Sequence, residues 1–328
     1  MFEKELEIGQ NAVIEAMRIC KTIQEELTGA DSITKSDKSP VTIADFASQA
    51  IICRILDENF PDIPIVAEEK SDALRKPKNR EILKRILQTI ANDAKINGIL
   101  NKENLFHSID LGGCDPTDHI FWTLDPIDGT KGFLRGEQFA IALALIEKGV
   151  VQLGVLGCPN LKLPENDSHC GCLLFAVNGG GTKLRDIETG TTETVGVSTL
   201  TDPGKMRFVE SYVSTHSNLE MQLQIARILK MARDPIQMDS QVKYGVLAAG
   251  NAEIYIRIPH PKTPDYREKI WDHAAGTIIV EEAGGVVTDI FGKKLDFSVG
   301  KTLKDNRGIF ASVPSVHDRI LGIIKELN

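Results

Sequence analysis

Apolar positions between Glu3 and Leu27 fall at Leu6, Val13, Met17, Cys20, Ile23 and Leu27. Steps of three, four and seven mark one face of a helix. Gly9 leaves a gap in that face, and Thr28-Gly29 supplies a C-terminal stop. A polar stretch from Asp31 to Ser39 leads to Pro40. A second helix is expected from about Thr42, carrying Ala44, Ala47, Ile51, Ile55 and Leu56. Pro61 and Pro64 then break the chain before a short strand, Ile65-Val66-Ala67. From Lys70 to Lys102 the sequence is charged, with helical spacing through Ile82, Leu83, Ile86, Leu87 and Ile90. That pattern predicts a solvated helical insertion.

The next segments read as strands. Phe121-Trp122-Thr123-Leu124 has the profile of a buried strand. Phe139–Ile146 and Val150–Leu156 form a hairpin that turns at Lys148-Gly149. Asn160–His169 is expected as a loop and Gly171–Val177 as a strand. Gly179-Gly180-Gly181-Thr182 predicts a turn rather than a phosphate loop, because no Lys-Ser or Lys-Thr and no long helix follow. Thr201–Lys205, with Pro203 and Gly204, divides the chain into an N-terminal α+β domain, 1–204, and a C-terminal α/β domain, 205–328. Beyond it, strands at Met206–Val209, Glu253–Ile258 and Ile309–Ser312 alternate with helices at Asn218–Met231, Gln241–Ala249 and Trp271–Ala283. This alternation is the signature of an α/β fold.

Composition narrows the class. A chain of 328 residues, 42% hydrophobic and 26% charged, has the balance of a globular protein and room for two domains. A net charge of −8 argues against a broad basic surface for nucleic acid. No apolar run approaches the ~20 residues of a membrane span. The acidic start, Met1–Glu7, lacks the basic residues and apolar stretch of a signal peptide, so a cytoplasmic chain is expected. The six cysteines do not fall in paired zinc-binding spacings, which predicts reduced thiols.

The candidate chemistry is acidic. Asp125-Pro126-Ile127-Asp128-Gly129-Thr130 follows the strand at Phe121–Leu124. Two carboxylates beyond a strand end can converge on one hard cation. The backbone N–H groups of Gly129 and Thr130 stand where phosphate oxygens would sit. Glu68-Glu69 ends the strand before, Asp45 opens the second helix, and Asp272 opens a later one. Such junctions commonly carry functional groups. Taken singly, each has a plainer reading. Asp272 can cap its helix, Glu68-Glu69 can be a solvated loop, and Thr130 can bond its own backbone.

Seen together, these segments resemble the inositol-monophosphatase-like, magnesium-dependent, lithium-sensitive phosphatases, and among them the 3′(2′),5′-bisphosphate nucleotidases. The matching stretches are Lys38–Asp45, Ile65–Glu69, Trp122–Gly136, Asp239–Tyr244, Ile270–Gly276 and Glu281–Gly285. Ala67 stands where the family often has glycine, and Ile120-Phe121 precede Trp122 where it often has Gly-Arg. Neither change removes a ligand. The resemblance implies a layered α-β-α-β-α sandwich of the inositol monophosphatase and fructose bisphosphatase type. It implies two or three Mg²⁺ ions held by Glu68, Asp125, Asp128, Asp272 and the carbonyl of Ile127. Asp45 and Thr130 would activate the attacking water, and Gly129 and Thr130 would receive phosphate. Glu69 would orient the ligands rather than join them. No covalent phospho-enzyme is implied, so a metal-activated water attacks directly.

The same resemblance assigns His216, Ser240, Lys243 and Arg257 to the substrate's second phosphate and sugar. A bisphosphate needs a cationic contact for the phosphate that is not cut. The expected reaction is hydrolysis of adenosine 3′,5′-bisphosphate to AMP and phosphate, with 3′-phosphoadenosine 5′-phosphosulfate as a further substrate and lithium as inhibitor. Two alternatives stay open. One is an inositol polyphosphate 1-phosphatase or inositol monophosphatase with the same chemistry. The other is a sensor that binds nucleotide and metal without turnover. The sequence leaves the oligomeric state open.

Overall fold

The computed structural model describes residues 2–27, 32–34, 40–92, 101–163, 166–212 and 218–327. Its elements stack in five layers. The first layer holds α1 (Glu3–Glu25), α2 (Ile43–Asn59), α3 (Arg80–Ala91) and α4 (Lys102–Asp110). A small hairpin, β1 (Ser32–Thr34) with β2 (Pro40–Thr42), leads into α2. The second layer is a seven-stranded sheet. In spatial order it runs β3 (Ile65–Ala67), β4 (Ile120–Asp128), β5 (Ala140–Glu147), β6 (Val150–Leu163), β7 (Asn166–Val177), β8 (Thr182–Asp186) and β9 (Thr192–Val195). One short helix, α5 (Thr130–Leu134), follows β4 directly.

The remaining layers come from the C-terminal part. A five-stranded sheet contains β10 (Phe208–Glu210), β11 (Ile236–Gln237), β12 (Ile254–Arg257), β13 (Val286–Thr288) and β14 (Ile309–Ser312). Helices α7 (Val242–Ala248) and α8 (Ala274–Glu282) fill the space between the two sheets. Helices α6 (Leu219–Leu229) and α9 (Pro314–Leu327) cover the far face of the smaller sheet. The order is therefore α-β-α-β-α, as the resemblance implied. One apolar core lies between α1, α2 and the large sheet, a second between the sheets, and a third under α6 and α9.

Two glycines on β6 show how tightly the layers close. A Cβ at Gly157 would meet Val13 and Met17 of α1 at 2.7 Å, and one at Gly154 would meet the Ala275 backbone of α8 at 2.9 Å. Positions three apart on a strand face opposite ways. One strand is thus gripped on both faces, and only glycine permits that approach.

Three expectations need correction. Asn160–His169 is not simply a loop, since β6 runs to Leu163 and β7 begins at Asn166. A register shift after Cys158 lets the ladder pass Pro159, which cannot donate a hydrogen bond. The segment Trp271–His273 is a turn, and α8 starts only at Ala274. The charged stretch after Lys70 opens with two short 3₁₀ turns before α3. Helices α4 and α9 and the short strands β8, β9, β11 and β13 went unpredicted. No helix among the described residues is long and apolar enough to cross a membrane.

One buried histidine ties α9 to the smaller sheet. His317 is 4% exposed, stacks on Phe310 at 4.2 Å, and contacts Thr288 Oγ1 through Nε2 at 3.1 Å and Ser312 Oγ through Nδ1 at 2.8 Å. Burial lowers its pKa to about 4. Between that value and the ordinary 6.5, the unfolded chain binds the proton and the folded chain does not. This contribution to stability is complete above pH 6.5 and falls away as the pH drops towards 4. His317→Gln is expected to flatten that segment of a plot of Tm against pH. An unchanged slope would remove His317 as its source.

Candidate active site

The site grows from the C-terminal ends of two parallel strands. β3 and β4 pair with Ala67 opposite Leu124, so Glu68 and Asp125 emerge side by side. The Glu68 N–H donates to the Leu124 carbonyl at 3.3 Å. The methyl of Ala67, where the family often has glycine, is accommodated by Gly112. A Cβ on Gly112 would stand 2.6 Å from that of Ala67.

Asp125 and Asp128 would point to opposite faces of a regular strand, because side chains alternate. The pairing of β4 with β5 shifts between them: Asp125 lies opposite Ala142, and Asp128 opposite Ala140. Three steps on one strand match two on the other. This one-residue bulge, at Pro126-Ile127, restores both carboxylates to the same side. The Ser48 hydroxyl holds the bulge by donating to the Pro126 carbonyl at 2.9 Å. Asp125 Oδ1 accepts from the Ile127 N–H at 3.1 Å.

Gly129 then turns the chain into α5 with a left-handed φ of 87°. A Cβ there would meet the Ser240 Cβ at 2.8 Å. Conformation and space thus both demand glycine. The contact also brings the loop after β4 against the segment before α7. In that segment Ser240 itself has a left-handed φ of 70°.

Asp45 arrives from the first layer. Thr42 caps α2, and its N–H and hydroxyl both donate to Asp45 Oδ2, at 2.7 and 2.6 Å. This reciprocal cap fixes the carboxylate and turns Oδ1 towards Thr130, whose Oγ1 lies 3.4 Å away. Thr130 Oγ1 also lies 3.2 Å from the Ile127 carbonyl. The single hydroxyl proton can go to either acceptor, so the plain backbone role and the expected partnership with Asp45 are alternative states of one group. Glu69 is 5% exposed and does not lie in a solvated loop. Gln49 clamps its backbone, accepting from the Glu69 N–H at 2.9 Å and donating to its carbonyl at 2.8 Å.

Electrostatics ties these segments together. Burial raises the Asp125 pKa well above the ordinary carboxylate range, and the charges of Glu68, Asp128, Asp272 and Asp45 push it further. Asp272 is raised by burial, then by Asp128, Glu68 and Glu268. Asp128 is raised by burial, while Lys243, the Gln241 N–H and Arg257 pull it down. Carboxylates from four segments thus feel one another in a pocket that buries Asp45 and Asp125 and leaves Glu68, Asp128 and Asp272 half-buried. Like charges so placed call for a cation, and an all-oxygen set suits a hard divalent ion. No three of Glu68, Asp125, Asp128 and Asp272 bring one carboxylate oxygen each within 4.8 Å of one another, so the set is looser than a single closed coordination sphere.

Among the described residues, the one trio that meets that spacing is Glu268, Asp272 and His273. Two of its members are already committed. Arg257 grips Glu268 with two hydrogen bonds, Nε to Oε1 at 3.0 Å and Nη2 to Oε2 at 2.9 Å. His273 Nε2 lies 3.2 Å from Glu268 Oε2, and its Nδ1 lies 2.8 Å from the Tyr244 hydroxyl. Burial lowers the His273 pKa and favours the neutral ring. A neutral ring that donates through Nε2 and accepts through Nδ1 has no lone pair left for a metal. Burial alone would raise Glu268, but Arg257 and His273 outweigh it and hold the carboxyl at about 2.

The expected substrate residues divide accordingly. Lys243 and Arg257 both act on the Asp128 carboxylate, Arg257 while locked to Glu268, and Ser240 packs close to Gly129. Lys243 is 2% exposed, with its pKa lowered to about 8 by burial against the opposing pull of Asp128. Neither cation is ordinary surface charge. Tyr244 is fully buried, so it belongs to the core and cannot stack on a base. His216 lies outside the described residues. Asp272 does not cap α8, since His273 holds the N-cap position. Gly179 and Gly181 form the expected turn, and both N–H groups donate to Glu282 at 2.8 Å, an anion supplied by the protein itself. Sequence reasoning missed Glu268 and the two buried amides Gln49 and Gln241. All three act through tertiary contacts, and only the position of Gln241 within a matching segment marked it.

A cavity of about 760 Å³ lies elsewhere, lined by Leu184, Met238 and Val246 with Lys162, Arg207, Asp186 and Glu193. Two basic and two acidic groups leave it without net charge, and none of the clustered carboxylates lines it.

The chain resembles several known proteins along its whole length. It is 40% identical to the 3′(2′),5′-bisphosphate nucleotidase of Oryza sativa over 348 residues, covering 100% of this chain and 96% of that protein. It is 40% identical to that of Schizosaccharomyces pombe over 332 residues, covering 97% and 94%. It is 42% identical to 3′(2′),5′-bisphosphate nucleotidase 1 of Arabidopsis thaliana over 301 residues, covering 86% and 84%. Among solved structures, extragenic suppressor protein suhB from Bartonella henselae shares the fold with a TM-score of 0.68 at 19% identity, covering 99% of each chain. The IMPase of Thermotoga maritima does so with a TM-score of 0.64 at 22% identity, covering 99% of this chain and 98% of that one. With residues 3–328 matching its pattern, this chain belongs to the inositol monophosphatase family.

Proposed function

We propose that the protein is a magnesium-dependent 3′(2′),5′-bisphosphate nucleotidase that converts adenosine 3′,5′-bisphosphate to AMP and phosphate and also accepts 3′-phosphoadenosine 5′-phosphosulfate. The observation that carries this reading is the cluster of carboxylates around the buried Asp125, next to the Gly129-Thr130 turn, with Lys243 and Arg257 acting on Asp128. The nucleotidase names of relatives at about 40% identity support the substrate.

Glu68, Asp125, Asp128, Asp272 and the Ile127 carbonyl would hold two or three magnesium ions. Bound magnesium supplies positive charge to the phosphate and lowers the pKa of water at neutral pH. The chain's own residues do the rest. Thr130 accepts a hydrogen bond from the attacking water while its hydroxyl donates to Asp45 Oδ1, so the proton the water gives up passes through Thr130 to the Asp45 carboxylate. The capped geometry of Thr42 and Asp45 keeps that acceptor in place. The N–H groups of Gly129 and Thr130 hold phosphate oxygens. Ser240, Lys243, Arg257 and His216 bind the rest of the nucleotide. Residues 1–204 then supply the catalytic pair and most of the metal ligands, and residues 205–328 supply the substrate contacts and the last ligand, Asp272. Lithium inhibits by competing at a magnesium position.

A phosphate-release assay with magnesium tests this. Adenosine 3′,5′-bisphosphate is expected to outpace inositol 1,4-bisphosphate and inositol monophosphate, and lithium to suppress release. Release from the inositol phosphates alone would shift the substrate to that class. No release from any of the three would leave a binding protein. Thr130→Val keeps the branched shape and removes the hydroxyl. It is expected to reduce kcat by about 10²–10³-fold with magnesium affinity intact, the scale of a lost general acid–base group. Undiminished kcat would remove Thr130 from the reaction.

A further inference from the structure

Every polar group of Gln241 is engaged, and the residue is only 2% exposed. Its backbone N–H donates to Asp128 Oδ2 at 2.6 Å. Its side-chain Nε2 donates to the Trp271 carbonyl at 2.9 Å, and its Oε1 accepts from the Gly276 N–H at 3.2 Å. Its own carbonyl accepts from the Tyr244 N–H at 2.9 Å. The Trp271 carbonyl belongs to the peptide group that joins Trp271 to Asp272. One residue therefore grips Asp128 by its carboxylate and Asp272 by its peptide link.

The grip on α8 meets a real need. The first turn of a helix carries N–H groups with no internal partner. His273, at the N-cap, makes no side-chain cap. Gln241 Oε1 supplies an acceptor for that turn from a neighbouring helix. Helices α7 and α8 are close enough for this because Gly276 has no side chain: a Cβ there would stand 2.2 Å from the Tyr244 ring. On the other side, the left-handed φ of 70° at Ser240 aims the Gln241 N–H at Asp128. A non-glycine residue in that region is strained, and such strain persists where the surroundings over-determine it. The contact of Ser240 with Gly129 is one such surrounding feature.

We infer that Gln241 is a positioning residue that sets the separation of Asp128 from Asp272, and thereby the magnesium affinity of the site. This rests on reading those two aspartates as magnesium ligands. Groups that orient ligands without touching the metal typically change metal affinity about 10–100-fold when removed. A purely structural role for Gln241 makes a different forecast, since it would lower stability equally with and without magnesium.

The test is isothermal titration calorimetry with magnesium chloride, joined to thermal unfolding with and without the ion. Gln241→Met removes the side-chain bonds at similar length. Gln241→Asn keeps the amide one carbon shorter and serves if the methionine variant does not fold. Both are expected to weaken magnesium binding about 10–100-fold and to shrink the rise in Tm that magnesium produces. In kinetics the magnesium activation constant moves, while excess magnesium restores much of kcat. Thr182→Val is the control. It deletes a bond of 2.6 Å from Thr182 Oγ1 to the Ile279 carbonyl at the other end of α8. It should lower Tm equally in both conditions and leave magnesium affinity alone. Variants of Gln241 that bind magnesium as tightly as the unsubstituted protein would overturn the inference and spare the ligand reading. An unsubstituted protein that binds no magnesium would overturn both.

Discussion

Asp125→Asn is expected to lower kcat by at least ~10³-fold while raising the thermal stability of the magnesium-free protein. The two effects have one cause. Asp125 is 2% exposed, and its charge is opposed by burial and then by Glu68, Asp128, Asp272 and Asp45. Removing that charge relieves repulsion that only a cation would otherwise offset. The asparagine oxygen can still accept from the Ile127 N–H, so the bulge keeps its bond. Turnover suffers because metal-borne charge stabilisation is worth several kcal/mol, and each 1.36 kcal/mol is tenfold in rate. Asp128→Asn should likewise abolish turnover with the fold intact. Melting in EDTA, paired with phosphate release in magnesium, checks the first claim. A lower Tm for Asp125→Asn in EDTA would contradict the repulsion argument, and near-normal turnover would contradict the ligand assignment.

Arg257→Met is expected to cost about 3–5 kcal/mol of stability at neutral pH, the usual penalty for leaving one member of a buried ion pair alone. Arg257 holds Glu268 through two hydrogen bonds, and the Glu268 side chain is only 6% exposed. With Arg257 gone, His273 Nε2 still stands 3.2 Å from that carboxylate. The loss should depend on pH. The Glu268 carboxyl titrates at about 2 in the folded protein and near 4.5 when unfolded. A depressed carboxyl pKa gives stability that is full above 4.5 and disappears as the pH falls towards 2. The gap between Arg257→Met and the unsubstituted protein should therefore narrow across that window. Chemical denaturation at neutral and acidic pH measures it. Equal midpoints at pH 7 would show that the pair contributes nothing. KM for adenosine bisphosphate should also rise, since the same guanidinium is proposed to face the second phosphate. Arg257→Lys should restore only part of either effect, because lysine cannot make the paired bonds.

The site was unevenly legible along the chain. Asp125, Asp128, Gly129 and Thr130 are neighbours in sequence, and a run of that composition after an apolar strand already suggests an oxygen-ligand metal site beside a phosphate turn. Asp45 could be placed at a helix start, but not the orientation that its bonds to Thr42 impose. The bulge was hidden, although Pro126 in an apolar strand was a hint, since proline cannot join the ladder. Ser240 offered no sign of its left-handed backbone. Arg257 and Lys243 read as ordinary surface charge when taken alone, but the fold buries Lys243 and holds a half-buried Arg257 against Glu268. Glu268 was passed over because nothing local distinguishes it from other acidic residues near Lys269.

The sequence by itself determined the periodicities, the order of elements, the family and the residue types available for chemistry. These follow from local spacing and from short motifs, which survive without knowledge of the fold. Only the tertiary structure decided which charges share a desolvated space and which of them are neutralised. It gathered Glu68, Asp125, Asp128 and Asp272 into mutual repulsion, gave Glu268 to Arg257 and His273, and put Gln241 between two aspartates. Burial and Coulomb interaction depend on distance through space, and distance through space is what a linear pattern of residues does not contain.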